Sequence, residues 1–478
     1  MSLYKSLCCI YCLLLLAASS FSKSLNLSRA IEYALEHNQT IMFRARREFK
    51  SAEAQFRISQ SYLRPNVDLT LNTARSYFRS AEKNIRQASE SQTTSPSVSL
   101  NYNIPTPLGS QTSLGLGYQT QWHGLGTVYS SPDFRIQYSQ PLSLAGIQSG
   151  HLEYIRAKKS YIQSQLNFQS TKEDLILQVI RAYFQLWESF RNLEQIEADL
   201  KTTRNLLHVA ELKLKAGQIS EYEVMNTRVQ YQDSEDNLEL LTYRIRTQQR
   251  GFNRLLGVEL KTKFDLTEEP RITALPYDSD TAVDLAFKNR LDYKSQLIEM
   301  ELNQLALKQS QATAFPTLNI SGNYSLSSQY NVPFTTALSN FPYRSWNVSA
   351  TVTIPIYDGG VRANQIQIAR NAYDIRMNRF QLFREQMIME IEERFFSLEM
   401  HQKRIKSLAV SLEIAHDAYK AAELRFTEGQ ISATEIENVR QQYNNKQQAV
   451  LNAKIEYMIG SAELARELGV LEQWIKDW

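Results

Sequence analysis

The chain has 478 residues, 43% of them apolar and 22% charged, with a formal net charge of +3. So small a basic excess excludes a nucleic-acid-binding class, whose footprint is a strongly basic face. The mean hydropathy is −0.40, and beyond Ser22 no segment is a continuous apolar run of the roughly 20 residues that a spanning helix needs, so a helical membrane protein is excluded as well.

The first stretch reads as an export signal, 1–22. Lys5 supplies the positive start, Ile10 to Ala18 the apolar run, and Ala17 to Ser22 small residues for cleavage. The mature chain is expected to begin near Phe21 or Lys23. All three cysteines, Cys8, Cys9 and Cys12, lie inside this signal. The mature protein is therefore expected to have no disulfide and no cysteine-based metal site.

Repeat 1 is assigned to 23–257. Asn26 to Tyr62 predicts one helix, with Ala30, Tyr33, Ala34 and Ile41 on one face, ended by Pro65. Short alternating runs follow. Val67, Leu69 and Leu71 alternate with Asp68, Thr70 and Asn72, and Phe134, Ile136 and Tyr138 with Arg135, Gln137 and Ser139. A period of two with one apolar and one polar face is the pattern of a membrane barrel strand. From His151 to Ala216 there are 66 residues without Gly or Pro, a helix of about 100 Å at 1.5 Å per residue. Gly217 breaks it where glycine relieves left-handed strain. Ser220, with Glu223 three residues on, is the expected cap of a return helix that ends near Gly257.

A connector is assigned to 258–280, with Pro270 and Pro276, and repeat 2 to 281–478. Repeat 2 keeps the same order. Ala282 to Phe287 matches Ala30 to Leu35, Pro316 matches Pro65, and Leu468-Gly469-Val470 matches Leu256-Gly257-Val258. Trp346 to Ile356 alternates without error. Val361 to Glu428 is again free of Gly and Pro, for 68 residues. The two helical tips read Gly217-Gln218-Ile219-Ser220 and Gly429-Gln430-Ile431-Ser432, 212 residues apart. Repetition at that scale means one unit duplicated in tandem. Helices this long need partners along their length. The spacing of Leu398, Ile405, Leu408, Leu412, Ala415, Ala422 and Phe426 predicts a coiled-coil seam.

The repeats differ in one place. Pro65 to Pro141 is 76 residues and Pro316 to Pro355 only 39. The excess, about 79–132, holds two more alternating runs, Ser97 to Ile104 and Ser113 to Trp122. It is either an added barrel hairpin or a hairpin in a loop outside the membrane. Neither strand pair is large enough to be stable alone, and a barrel closed from several subunits removes the exposed edges.

Catalytic signatures are missing. The six histidines form no HExxH pair, and no GxSxG elbow or Walker A loop occurs. No catalytic residue, metal ligand or cofactor is assigned, and no enzyme is expected.

The duplicated unit of helix, strand pair, very long helix, Gly-tipped turn and return helix resembles the TolC-like outer-membrane efflux family. The tips Gly217 to Glu223 and Gly429 to Glu435 carry the resemblance, with Pro65, Pro316 and Pro355-Ile356-Tyr357-Asp358-Gly359-Gly360. It implies a mainly α protein with membrane β: a homotrimer whose strands pool into one transmembrane β-barrel and whose hairpins form a long α-barrel. Its place would be the cell outer membrane, in contact with lipid and extending into the periplasm. Its partners would be a periplasmic adaptor (membrane fusion) protein and an inner-membrane transporter. The chain would be a passive duct for efflux or type I secretion, with drug, metal and protein cargo all open. The docking tips would be Gly217, Gln218, Ile219, Ser220, Gly429, Gln430, Ile431 and Ser432. The periplasmic gate would involve Phe426, Ile431, Glu435, Asn438 and Glu223. Glu223 and Glu435 sit six positions after each glycine, where the family carries an acid. Asn438 stands where a second acid is frequent, and Phe426 and Ile431 where some members carry a Tyr and Arg lock, so the expected closure is hydrophobic. The competing readings are a periplasmic adaptor, which should have one hairpin between half-lipoyl segments, and a coiled-coil envelope protein without a pore.

Overall fold

The computed structural model describes residues 23–79, 90–106, 109–123, 128–143, 149–272, 278–328, 341–428 and 430–477. The export signal and Gly429 lie outside them. The described residues form two compact units: those within 23–48, 166–295 and 382–477 make one, and those within 49–165 and 296–381 the other.

The helical unit starts with β1 (Lys23–Leu25) and α1 (Leu27–His37), followed by α2 (Ile41–Ser61). The single helix expected over Asn26 to Tyr62 is thus two. Neither Gly nor Pro makes the break. Asn38, almost fully buried, turns its Oδ1 to accept from the backbone N–H of Thr40, Ile41 and Met42 at 3.1, 2.6 and 3.3 Å. It caps α2 with the competing side-chain bonds that Asn forms readily. Its Nδ2 donates to the Leu255 carbonyl at 2.9 Å, tying the joint to the end of α4 (Glu221–Leu256). Beside it, Gly257 closes α4 at φ +74°, and a Cβ there would lie 2.1 Å from the His37 carbonyl oxygen. Only glycine permits that approach.

The long helices are α3 (Ser149–Lys215) and α7 (Val361–Thr427), each of 67 residues. The later part of each lies in this unit. Between them come β6 (Phe264–Leu266) and α5 (Ser279–Asn289). The connector is more than a tether: β6 pairs in parallel with β1, and Phe264 and Leu266 are buried in the core. Tyr183 of α3 holds the pair. Its hydroxyl donates to the Leu25 carbonyl at 2.9 Å and accepts from the Glu268 N–H at 3.1 Å. Burial pushes its pKa up to about 12. Around it Leu27, Ile31, Met42, Phe184, Phe252 and Leu256 form one apolar cluster, each such side chain contributing about 1.5–3 kcal/mol. A second cluster joins Ala282 and Ala286 of α5 to Met387, Ile391 and Leu398 of α7 and to Ala453, Tyr457 and Leu464 of α8 (Ala433–Glu467). A short α9 (Leu471–Asp477) ends the described chain.

The predicted seam of α7 faces inward. Leu398, Ile405 and Ala422 are buried, and Leu408, Leu412, Ala415 and Phe426 half-buried. A second stripe on the same helix faces out. Ile368, Ile375, Leu382, Met389 and Phe396 follow at intervals of seven, then Val410 and Leu424 in the same phase, each more than half exposed.

The other unit carries a six-stranded antiparallel sheet in the order β2-β3-β4-β5-β7-β8. Its strands are β2 (Asn66–Arg79), β3 (Glu90–Pro105), β4 (Gln111–His123), β5 (Val128–Ser143), β7 (Thr317–Ser327) and β8 (Tyr343–Thr353). The extra material of the first half is thus two full strands set between β2 and β5. In the same unit, segments of α2, α3, α6 (Leu291–Ala312) and α7 touch one another in that order. Phe56 stacks on Tyr161 at 5.1 Å, Gln163 donates to Glu299 at 2.8 Å, and Arg376 to Gln296 at 2.5 Å. No described helix is long and apolar enough to cross a membrane.

Candidate functional site

The two hairpin tips belong to the helical unit. At the first, α3 closes with Gly217 at φ +71°. The Gly217 N–H donates to the Leu214 carbonyl and the Gln218 N–H to the Lys213 carbonyl, both at 2.9 Å. This pair of bonds satisfies the last carbonyls of the helix. At the second, the Gln430 N–H reaches the Arg425 carbonyl at 2.8 Å, the equivalent of the Gln218 bond. Each return helix then starts on serine. Ser220, at φ −80° and ψ 156°, accepts from the Glu223 N–H at 3.3 Å; Ser432, at φ −79° and ψ 162°, accepts from the Glu435 N–H at 3.2 Å. Two sequences that differ around the shared Gly-Gln-Ile-Ser thus share the glutamine bond back to the helix and the serine cap of the return helix.

Gln218, Gln430, Ser220 and Ser432 are exposed, as are Glu223, Glu435 and Asn438. Ile219 and Ile431 are half-buried. The acids occupy the positive ends of their helices, where a carboxylate is favoured. Phe426 connects the tips: the Lys213 ammonium of the first hairpin lies 5.5 Å from its ring centroid, a contact of about 0.5–1 kcal/mol at an exposed site.

Farther from the turns, a polar clasp joins the hairpins. Arg440 of α8 is only 6% exposed. Its guanidinium donates to Glu437 at 2.7 Å, to the Thr203 hydroxyl at 3.1 Å and to the Asp199 carbonyl at 3.3 Å, and sits 3.4 Å from the Asp199 carboxylate. Asn444 donates to both Asp199 carboxylate oxygens, at 3.0 and 2.8 Å. Burial raises the Asp199 pKa, while Arg440 and the Asn444 bond pull it down. Next to the clasp Tyr419 and Tyr443 stack, 5.8 Å between centroids. Sequence reasoning missed this site. Its signal was an arginine on the inward stripe of α8, between Ile436 and Tyr443, where a cation needs a partnered acid.

Nothing in this arrangement is a reaction centre; it is two alike, solvent-facing turns held side by side on long helices. A family model described as outer membrane efflux protein matches residues 30–258 and 282–470. The chain belongs to the outer membrane efflux protein family. The outer membrane protein TolC of Vibrio cholerae is 19% identical over 326 residues, 67% of this chain and 74% of that protein. The TolC of Escherichia coli K12 is 19% identical over 325 residues, 67% of this chain and 66% of that protein. The Campylobacter jejuni CmeC outer membrane channel has the same fold, with a TM-score of 0.72 at 15% identity over 94% of this chain and 88% of that one. Membership of that family makes this chain an efflux component of the outer membrane and not an enzyme. The adaptor and the pore-less coiled coil are set aside with that assignment.

Proposed function

We propose that three copies of this chain, each two tandem repeats (23–257 and 281–478, joined by 258–280), close a single duct. Their sheets would form one barrel in the outer membrane and their hairpins one α-barrel in the periplasm. The tips would dock a periplasmic adaptor protein that couples the duct to an inner-membrane transporter, in efflux or type I secretion. The observation that carries this is the pair of matching tips, both solvent-facing and bridged by Lys213 and Phe426. Two copies of one exposed turn per chain fit a partner that meets the same shape repeatedly around a ring. The outward apolar heptads of α7 support the assembly, since a stripe of that period is what another helix covers.

Six acids at the narrow end, Glu223 and Glu435 from each copy, would favour cations, with Phe426 and Ile431 closing the gap and Asn438 reducing the charge. Cross-linkers placed at Gln218 and Gln430 should capture the adaptor, and Ile219→Asp or Ile431→Asp should abolish export while the trimer stays intact. Normal export by both variants would reject the tips as the docking surface. In planar bilayers, Glu435→Gln should lower cation selectivity and divalent block at low salt. The difference should fade at 1 M salt, where the screening length is about 3 Å; unchanged selectivity at low salt would remove Glu435 from the constriction.

A further inference from the structure

The hairpin that distinguishes the first half of the chain lies flush in the sheet. β2 pairs with β3 from Asn66↔Asn103 to Arg79↔Glu90, and β4 with β5 from Gln111↔Ser139 to Trp122↔Val128. A hairpin in an outer loop would pair only with itself, beyond the ends of β2 and β5. Here the β3–β4 turn returns to the helical end of the sheet. The Thr106 N–H donates to the Ser110 carbonyl at 2.9 Å, the two hydroxyls lie 2.6 Å apart, and a Cβ on Gly109 would touch Pro141.

The faces agree across all six strands. One row of directly opposed residues reads Val67, Tyr102, Leu114, Ile136, Tyr324 and Trp346. The next row along, on the other face, reads Asp68, Asn101, Gly115, Arg135, Ser325 and Ser345. A slip of one residue at β3 or β4 would have mixed them. The added strands are in frame with a membrane face and a water face.

Widths agree as well. Four helices in a row, α2-α3-α6-α7, occupy about 32–40 Å at 8–10 Å each. Six strands about 4.8 Å apart and tilted near 40° occupy about 38 Å of circumference. Without β3 and β4 the sheet would span only about 25 Å on the same spacing and tilt. The added hairpin makes the sheet as wide as the helices that continue from it.

We infer that β3 and β4 are membrane strands, that each subunit contributes six, and that three subunits close an 18-stranded barrel by pairing the free edge of β8 with the free edge of β2 in the next copy. The inference rests on the trimeric duct proposed above. β2 and β8 are the outer strands of the described sheet and run in opposite directions, so the closing pair is antiparallel like the rest. A barrel of that count has a backbone diameter of about 36 Å and an open aqueous bore. The outer-membrane section would then not limit cargo size, and selection by size would fall to the tips.

The test uses full-length protein reconstituted in lipid nanodiscs, with single spin labels at Leu100, Leu116, Ser99 and Ser113, and reference labels at Val348 and Ser349. Labels at Leu100 and Leu116 should match Val348, with high collision rates with oxygen and loss of access to a water-soluble nickel chelate. Those at Ser99 and Ser113 should match Ser349 and admit the chelate. Chelate access at all four added positions, with Val348 still protected, would put the hairpin outside the membrane and overturn this inference alone. Chelate access at Val348 too would overturn the barrel itself. For closure, cysteines scanned along β2 against one fixed in β8 should yield a covalent trimer at one register. An intact trimer with no cross-link in any register would refute the β2–β8 seam.

Discussion

Replacing Arg440 with Met keeps much of the side chain's volume and removes the cation from the clasp. Asp199 and Glu437 are then left facing each other's charge. Breaking a fully buried ion pair costs about 3–5 kcal/mol. The Asp199 and Glu437 side chains are 29% and 18% exposed, so water recovers part of that, and Asn444 still donates to Asp199. The expected loss is about 2–3 kcal/mol. Asp199→Asn should cost less, about 1 kcal/mol, because burial already disfavours its charge. The two changes should not add. The double variant should recover about 1–2 kcal/mol relative to the sum, a coupling expected of residues in direct contact. Urea unfolding in detergent, followed by far-ultraviolet circular dichroism at pH 7.5, measures all four corners of the cycle. Since α3 and α8 belong to different hairpins, the single variants should also raise the mean single-channel conductance. Additivity within about 0.5 kcal/mol would refute the clasp as an energetic unit.

Two glycines with the same left-handed backbone should behave differently. Gly217→Ala meets nothing within 4 Å and should cost about 1 kcal/mol, whereas Gly257→Ala runs into the His37 carbonyl and should cost about 3 kcal/mol or more; equal shifts in thermal midpoint would contradict the close approach. Glu173, buried in α3, has its pKa raised from 4.5 to about 7 by burial, with Glu472, Asp174 and Asp292 acting the same way and Arg466 opposing. The folded state therefore holds this proton where the unfolded state has lost it, so stability falls as pH rises from about 4.5 to about 7 and stays reduced above that window. Glu173→Gln should raise the thermal midpoint at pH 8 and change it little at pH 4.5; an equal rise at both would show that ionisation is not the cause.

The long helices were legible because Gly and Pro are absent from both runs and glycine marks both tips. The sheet was legible in the alternation from Trp346 onward and from Val67 to Asn72. Alternation fixes the faces of a strand but not its neighbours, so the placement of β3 and β4 between β2 and β5 needed the register. The break between α1 and α2 was hidden because Asn38 makes it with its side chain, leaving none of the usual punctuation. β1 and β6 were too short to show a period, and their pairing depends on Tyr183, far away in the chain. At the site, the capped turns followed from local sequence alone. The clasp did not: Arg440 lies more than two hundred residues along the chain from Asp199 and Thr203, and only the packing of α8 on α3 brings it to them.

The outward heptads of α7 also bear on what folding means for this chain. A helix that leaves Ile368, Ile375, Leu382, Met389 and Phe396 in water gains its remaining apolar stabilisation only when another surface arrives. Part of the free energy of the native state then resides in association and scales with the logarithm of subunit concentration. A dilute chain in transit through an aqueous compartment is poised below its final stability, with its stickiest surface uncovered. It would be open to capture by holding chaperones or to proteolysis until assembly, and its thermal midpoint should climb as concentration rises.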